Sequence, residues 1–142
     1  ENIHALFNTF NIDAKRVTFE ITETSAISHY DSAIKLINQL TAIGCQFSLD
    51  DFGSGVSSFS YLQQLPVTTI KIDGAFVHDI DTNAINRIFV ENILRTTSAM
   101  NKLTVAEYVE NANIERILTE IGIHYGQGYH IDKPSKWLEA ED

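Results

Sequence analysis

The feature that most limits what this chain can fold into is a change of hydrophobic period that recurs along its whole length. Short β-rich segments, RVTFEIT (16–22), CQFSLD (45–50), VTTIKID (67–73), KLTVAE (102–107) and IHYGQG (123–128), alternate with longer stretches of helical spacing. Such alternation calls for parallel strands joined by right-handed helical crossovers. The stretch SHYDSAIKLINQLTAIG (28–44) puts Ile34, Ile37, Leu40 and Ile43 on one stripe, opens at Ser28 with Asp31 three residues on, and stops at Gly44. TNAINRIFVENILRTTSAM (82–100) repeats apolar residues at Ile85, Ile88, Phe89, Ile93 and Leu94, and NANIERILTEIG (111–122) offers Asn111 as a cap and Gly122 as a stop.

The polar residues choose between the two parallel α/β architectures. Strand alternation sets Gln46, Ser48 and Asp50 on one face against Cys45, Phe47 and Leu49, and sets Thr18, Glu20 and Thr22 against Val17, Phe19 and Ile21. An open sheet covered by helices on both sides would need two apolar faces. A barrel needs only its outer face apolar, and its inner face can line a polar mouth at the carboxyl ends of the strands. Each strand here ends in polar groups: Glu20 and Glu23, Asp50 and Asp51, Lys71 and Asp73, Glu107 and Glu110, then Gln127. The expected fold is therefore α/β, a partial TIM (β/α)8 barrel of about five β/α units.

Size and charge narrow the function. The chain has 142 residues, 44% of them apolar, with no linker, low-complexity stretch or charge block, so one domain over residues 1–142 is expected. A formal charge of -9 repels DNA and anionic membranes, so an anionic ligand would need a bridging metal. Cys45 is the single cysteine, which excludes an internal disulfide and a cysteine zinc cage and suits a reducing, cytoplasmic setting. His4, His29, His78, His124 and His130 lack ligand spacing, and the tyrosines are too scattered to form a stacking platform. No apolar run approaches the ~18 residues of a membrane span.

Taken singly, each polar group has an ordinary structural use. Asp50 and Asp51 before Gly53 fit a turn with a cap, Lys71 and Asp73 a strand-end ion pair, Glu110 an acid at a helix start, and Gln127 a turn residue. Their coincidence at successive strand ends is different. Carboxylates crowded into one cavity repel and take up protons unless a cation neutralises them. All-oxygen donors suit hard cations such as Mg2+ or Mn2+. Neighbouring Asp side chains on a strand diverge, so Asp50 and Asp51 are expected to serve two ions about 3.5 to 4 Å apart, an arrangement that favours phosphoester hydrolysis.

FEITET (19–24), LDDFGSGVSSFSYLQQLPVTTIKID (49–73), VAEYVEN (105–111) and YGQGYHIDKP (125–134) resemble, in order and spacing, the second half of the EAL-type cyclic di-GMP phosphodiesterase domain. The resemblance covers nearly the whole chain. It implies an eight-unit barrel that linearises the bacterial messenger cyclic di-GMP to pGpG with Mg2+ or Mn2+ in a two-metal site. By position, Glu20 resembles a metal-ligand Glu, Asp50 the ligand bridging the metals, and Asp51 the ligand of the second metal. Lys71 resembles the lysine that orients water and phosphate, Glu107 the Glu that binds metal-bound water or acts as general base, and Gln127 the Gln of the QG motif. Glu23 resembles the Glu that holds the loop after the double Asp; that loop, with Gly53, Ser54, Gly55 and Ser57, is implied to couple metal binding to the substrate and to dimerisation, and Glu110 is placed with it on the substrate or loop side.

The departures from the family carry their own expectations. Strands one to three are missing, and with them two metal ligands, so the chain supplies strands four to eight and is expected to be part of a longer chain. Glu1 accordingly falls inside a helical pattern of Ile3, Leu6, Phe7 and Phe10. A sheet with two unpaired edges is expected to complete itself with the rest of the barrel or as a homodimer. Membrane anchoring, if the parent has it, would come from other regions. Ser54 and Val56 replace the usual Thr and Tyr, and Tyr108 replaces Gly. These changes leave a degenerate, non-catalytic cyclic di-GMP receptor or protein-interaction module as the alternative to hydrolysis in the parent, with this segment inactive by itself. Independently of the resemblance, Lys71 among acids also suits a Schiff-base aldolase or an enolase-like Mg2+ enzyme.

Overall fold

A computed structural model describes residues 3–54 and 59–135, leaving aside the side chains of His4 and Phe59. Its strands are β1 (Thr18–Thr22), β2 (Gln46–Phe52), β3 (Thr69–Ile72), β4 (Leu103–Ala106) and β5 (Tyr125–Gly126). They form one sheet in the order β1-β2-β3-β4-β5, with every neighbouring pair parallel. The strand order never reverses, so the sheet has no switch point of the doubly wound kind and rolls in one direction, as a barrel wall does.

Helix α1 (Ile3–Thr9) and a 3-10 turn at Ala14–Arg16 precede β1, and α2 (Glu23–Ser28), α3 (Tyr30–Thr41), α4 (Phe59–Gln64), α5 (Ala84–Ala99) and α6 (Ala112–Ile121) lie between the strands, with a second 3-10 turn at Gly74–Phe76. The register fixes which residues share a face. Glu20 pairs with Ser48, Ser48 with Thr69, Thr22 with Asp50, and Lys71 with Val105, so these side chains line the inner wall. Phe47, Leu49, Ile70, Ile72 and Ala106 alternate outward and are buried with Ile37, Leu62, Val90, Ile93 and Ile114 of the helices. Each such large aliphatic contributes about 1.5–3 kcal/mol relative to an exposed position, which fixes the polar residues on the opposite face.

Three local expectations need correction. Ser28 does not open the second helical stretch; it ends the short helix α2, which Thr22 caps, and α3 starts at Tyr30 with no side-chain cap from His29. The acids and hydroxyls of TETS close a turn immediately after β1, before the apolar stripe begins. Helix α4 went unforeseen because a six-residue helix is too short to establish a period. At its other end, β5 is shorter than the segment 123–128 suggests. Gly44 and Gly122 take positive φ values of 108° and 95° at the ends of α3 and α6, as their placement predicts.

At the amino ends of the strands, Lys102 is buried and its Nζ donates to the carbonyls of Leu65 (2.8 Å) and Val67 (2.7 Å). This closes the carboxyl end of α4 against β4. Burial holds the Lys102 ammonium below the usual lysine pKa.

Asn111 caps α6 by accepting from Asn113 N and Ile114 N, both at 3.0 Å. Asn111→Ala is expected to lower stability by about 1 kcal/mol, read as a shift in the urea midpoint with unchanged m.

Candidate functional site

The double Asp occupies a β-bulge. From Leu49 to Phe52, β2 advances three residues while its partner β3 advances two, from Ile70 to Ile72. Asp51 sits at φ 55°, in the left-handed region that Asp tolerates better than most residues. In a regular strand Asp51 would point to the helix side, away from Asp50. The bulge re-aims it, so that one oxygen each from Asp50, Asp51 and Glu107 lies within 4.8 Å of the others. The expected divergence of the two Asp side chains is thus reduced to a common cluster.

Two residues later Gly53 has φ 103°, and a Cβ there would lie 2.9 Å from Phe76 Cε2 and 3.1 Å from Phe89 Cε1. Those two rings stack with centroids 4.2 Å apart. Only glycine fits between that stack and the strand end.

Lys71 is the electrostatic hub. Its Nζ lies 2.9 Å from Asp50 Oδ1, 2.9 Å from Glu107 Oε1 and 3.2 Å from both carboxylate oxygens of Glu20. The side chain is 7% exposed. Burial opposes its charge, but the contacts with Asp50, Glu107 and Glu20 outweigh that and raise its pKa above the ordinary lysine value. Burial raises the Glu107 carboxyl pKa, Lys71 draws it down, and Asp50 and Asp51 push it up again. Asp51 is likewise raised, by desolvation and then by repulsion from Asp50. Asp50 Oδ1 is buried against the Lys71 ammonium; Ser48 Oγ, two residues earlier on the same face, is buried with no hydrogen-bond partner among the described residues. Three acidic oxygens drawn together with a single lysine to offset them are the donor set that a hard divalent cation takes.

The remaining predicted residues separate into three places. Asp73 does not pair with Lys71; it caps the Gly74–Phe76 turn by accepting from Ala75 N at 2.9 Å. Glu23 is buried behind the bulge, where Oε2 accepts from Gly53 N and Oε1 from Tyr61 Oη, each at 2.9 Å. Ser54 donates to Asp51 O at 2.8 Å. Gly55, Val56 and Ser57 lie outside the described residues. Glu110 and Gln127 join Glu107, Tyr108, Gly128 and Tyr129 around a cavity of about 250 Å3 next to the cluster. Tyr108 has φ 56°, and its ring lies so close over Gly74 that no Cβ could stand there. Sequence reasoning missed Tyr61 and Gly74, whose partners are 38 and 34 residues away and leave no trace in local spacing.

A family model described as the EAL domain matches residues 1–134. The chain belongs to the EAL domain family. Cyclic di-GMP phosphodiesterase PdeB of Shewanella oneidensis is 46% identical over 125 residues, which is 88% of this chain and 15% of PdeB. Among solved structures, the PaMucR phosphodiesterase in complex with c-di-GMP has a TM-score of 0.88 at 30% identity, covering 93% of this chain and 53% of that one. BlrP1 of Klebsiella pneumoniae, in a complex with calcium and cy-diGMP, has a TM-score of 0.83 at 28% identity, covering 89% of this chain and 32% of that one. This EAL chain thus spans about half of the PaMucR structure and a smaller part of PdeB. Among its described residues no helix is long and apolar enough to cross a membrane.

In metal-free protein, Lys71→Met is expected to cost about 3 kcal/mol at neutral pH, because it strands buried acids without a counter-charge. Without Lys71, the already raised pKa values of Glu107 and Asp51 rise further, so the folded state binds more protons than the unfolded one. The deficit therefore shrinks as pH falls through that raised carboxyl range. Denaturant melts of both proteins across that range check the sign.

Proposed function

We propose that this chain forms the acidic half of the active site of a divalent-metal-dependent phosphodiesterase that opens cyclic di-GMP to pGpG. The observation that carries this reading is the convergence of Glu20, Asp50 and Glu107 on Lys71 Nζ, with oxygens of Asp50, Asp51 and Glu107 within 4.8 Å of one another. The PdeB and PaMucR names support the substrate, and the calcium complex of BlrP1 supports a hard cation.

Asp50 and Asp51, with Glu20 on the neighbouring strand, would hold Mg2+ or Mn2+. Bound there, such ions polarise a phosphoryl oxygen and supply a nucleophilic water at neutral pH. The chain's own groups do the rest. Lys71 holds a permanent positive charge toward the phosphate, where negative charge grows as the ester bond breaks. Glu107, facing the same space from the end of β4, accepts the proton from the attacking water. Gln127 orients the substrate from the cavity wall, and Glu110 and the loop through Gly53, Ser54, Gly55 and Ser57 border it. Glu23 fixes the start of that loop.

Strands from the rest of a longer protein complete the barrel and its metal ligands, since a full barrel needs about 250 residues; a homodimer supplies a further contact. The segment by itself is then inactive, and its place is the cytoplasm. A second reading, a receptor that binds cyclic di-GMP without cutting it, draws on Tyr108, an aromatic held at positive φ beside Glu107.

In the intact protein, Asp50→Asn is expected to abolish Mn2+-dependent release of pGpG, followed by chromatography, with the fold retained by circular dichroism. Undiminished release would remove Asp50 from the reaction. Tight binding of cyclic di-GMP by the unaltered protein with no product would decide for the receptor.

A further inference from the structure

We propose that Tyr61 is a positioning residue for the acidic cluster: acting through Glu23, it fixes Gly53 and with it the left-handed turn that aims Asp51. The inference rests on the metal-dependent phosphodiesterase reading above.

Glu23 is 1% exposed, and a carboxylate so buried holds its place only through hydrogen bonds. One of its oxygens accepts from Tyr61 Oη and the other from Gly53 N. Gly53 stands two residues beyond Asp51, and Tyr61 lies on the next helix, so a single carboxylate ties the two ends of the segment 54–60. The helix that presents Tyr61 is itself anchored. Leu62 and Leu65 are buried in the core, and Tyr30 Oη donates to Gln64 Oε1 at 3.2 Å. On its other side Gly53 meets the stacked Phe76 and Phe89. The strand end is thus clamped between a ring stack and a carboxylate whose rotation Tyr61 restrains. Burial and the bond to Glu23 both keep the phenol protonated, so the donor persists at any working pH. Without that hydroxyl the carboxylate loses one of the bonds that orient it, its grip on Gly53 N loosens, and Asp51 is released from its φ of 55°.

The test is Tyr61→Phe in the intact protein, with near-ultraviolet circular dichroism to confirm folding. Hydrogen exchange at the Gly53 amide is expected to quicken about tenfold, the loss of roughly one hydrogen bond's restraint. The Mn2+ dissociation constant, measured by calorimetry, should rise about tenfold, as for a group that orients a ligand. In a Glu23→Gln background the same change should add less than about twofold, because the two residues act in series. Unchanged Gly53 exchange, unchanged Mn2+ affinity, or a full additive loss in the Glu23→Gln background would each overturn the proposal. If the unaltered protein binds no Mn2+, the phosphodiesterase reading fails, and the Gly53 exchange rate alone then decides whether Tyr61 sets the turn.

Discussion

One buried ammonium gathers the ends of four strands. Lys71, on β3, reaches Glu20 from β1, Asp50 from β2 and Glu107 just beyond β4. The in-register pairing of parallel neighbours makes this possible, since it brings alternate inward residues to the same height on the wall. The four acids Glu20, Asp50, Asp51 and Glu107 stand against a single Lys71, which leaves an excess of three negative charges when all are ionised. That excess is what a divalent cation would cancel; burial first, and then repulsion among the acids, holds the pKa values of Asp51 and Glu107 above the ordinary carboxylate range.

Backbone strain collects at the same end of the sheet. Asp51 and Tyr108 hold positive φ values, and each follows a residue of the cluster. Side chains rarely adopt this region, and such conformations persist where the surroundings over-determine them. Asp51 is held by the bulge and by Gly53 next to the Phe76–Phe89 stack, and Tyr108 by its ring over Gly74. The family's usual glycine at position 108 would adopt that φ freely, so Tyr108 trades backbone ease for an aromatic surface at the cavity rim.

The sheet was legible because alternation in VTFEIT and CQFSLD assigns faces residue by residue, and the same alternation placed Glu20 and Asp50 indoors. Asn111 and Gly122 were legible because caps are local chemistry. The aim of Asp51 was not, since a bulge is decided between strands and leaves only a double Asp before a glycine as its trace. The ordinary alternative for Asp73, an ion pair with Lys71 on the same strand face, gives way to a cap because β3 ends at Ile72 and the backbone donor of Ala75 lies two residues on. Glu23 and Tyr61 meet across two elements, a partnership that no spacing rule encodes.

Lys102, at the far end of the wall from Lys71, gives the domain a division of labour. Its ammonium is spent on the carbonyls of Leu65 and Val67, sealing the floor with neutral peptide groups. Side chains at the rim can therefore be exchanged, as at Ser54 and Tyr108, while the foundation on which they stand stays untouched. A lineage built this way is free to vary its chemistry at one end and keep its architecture at the other.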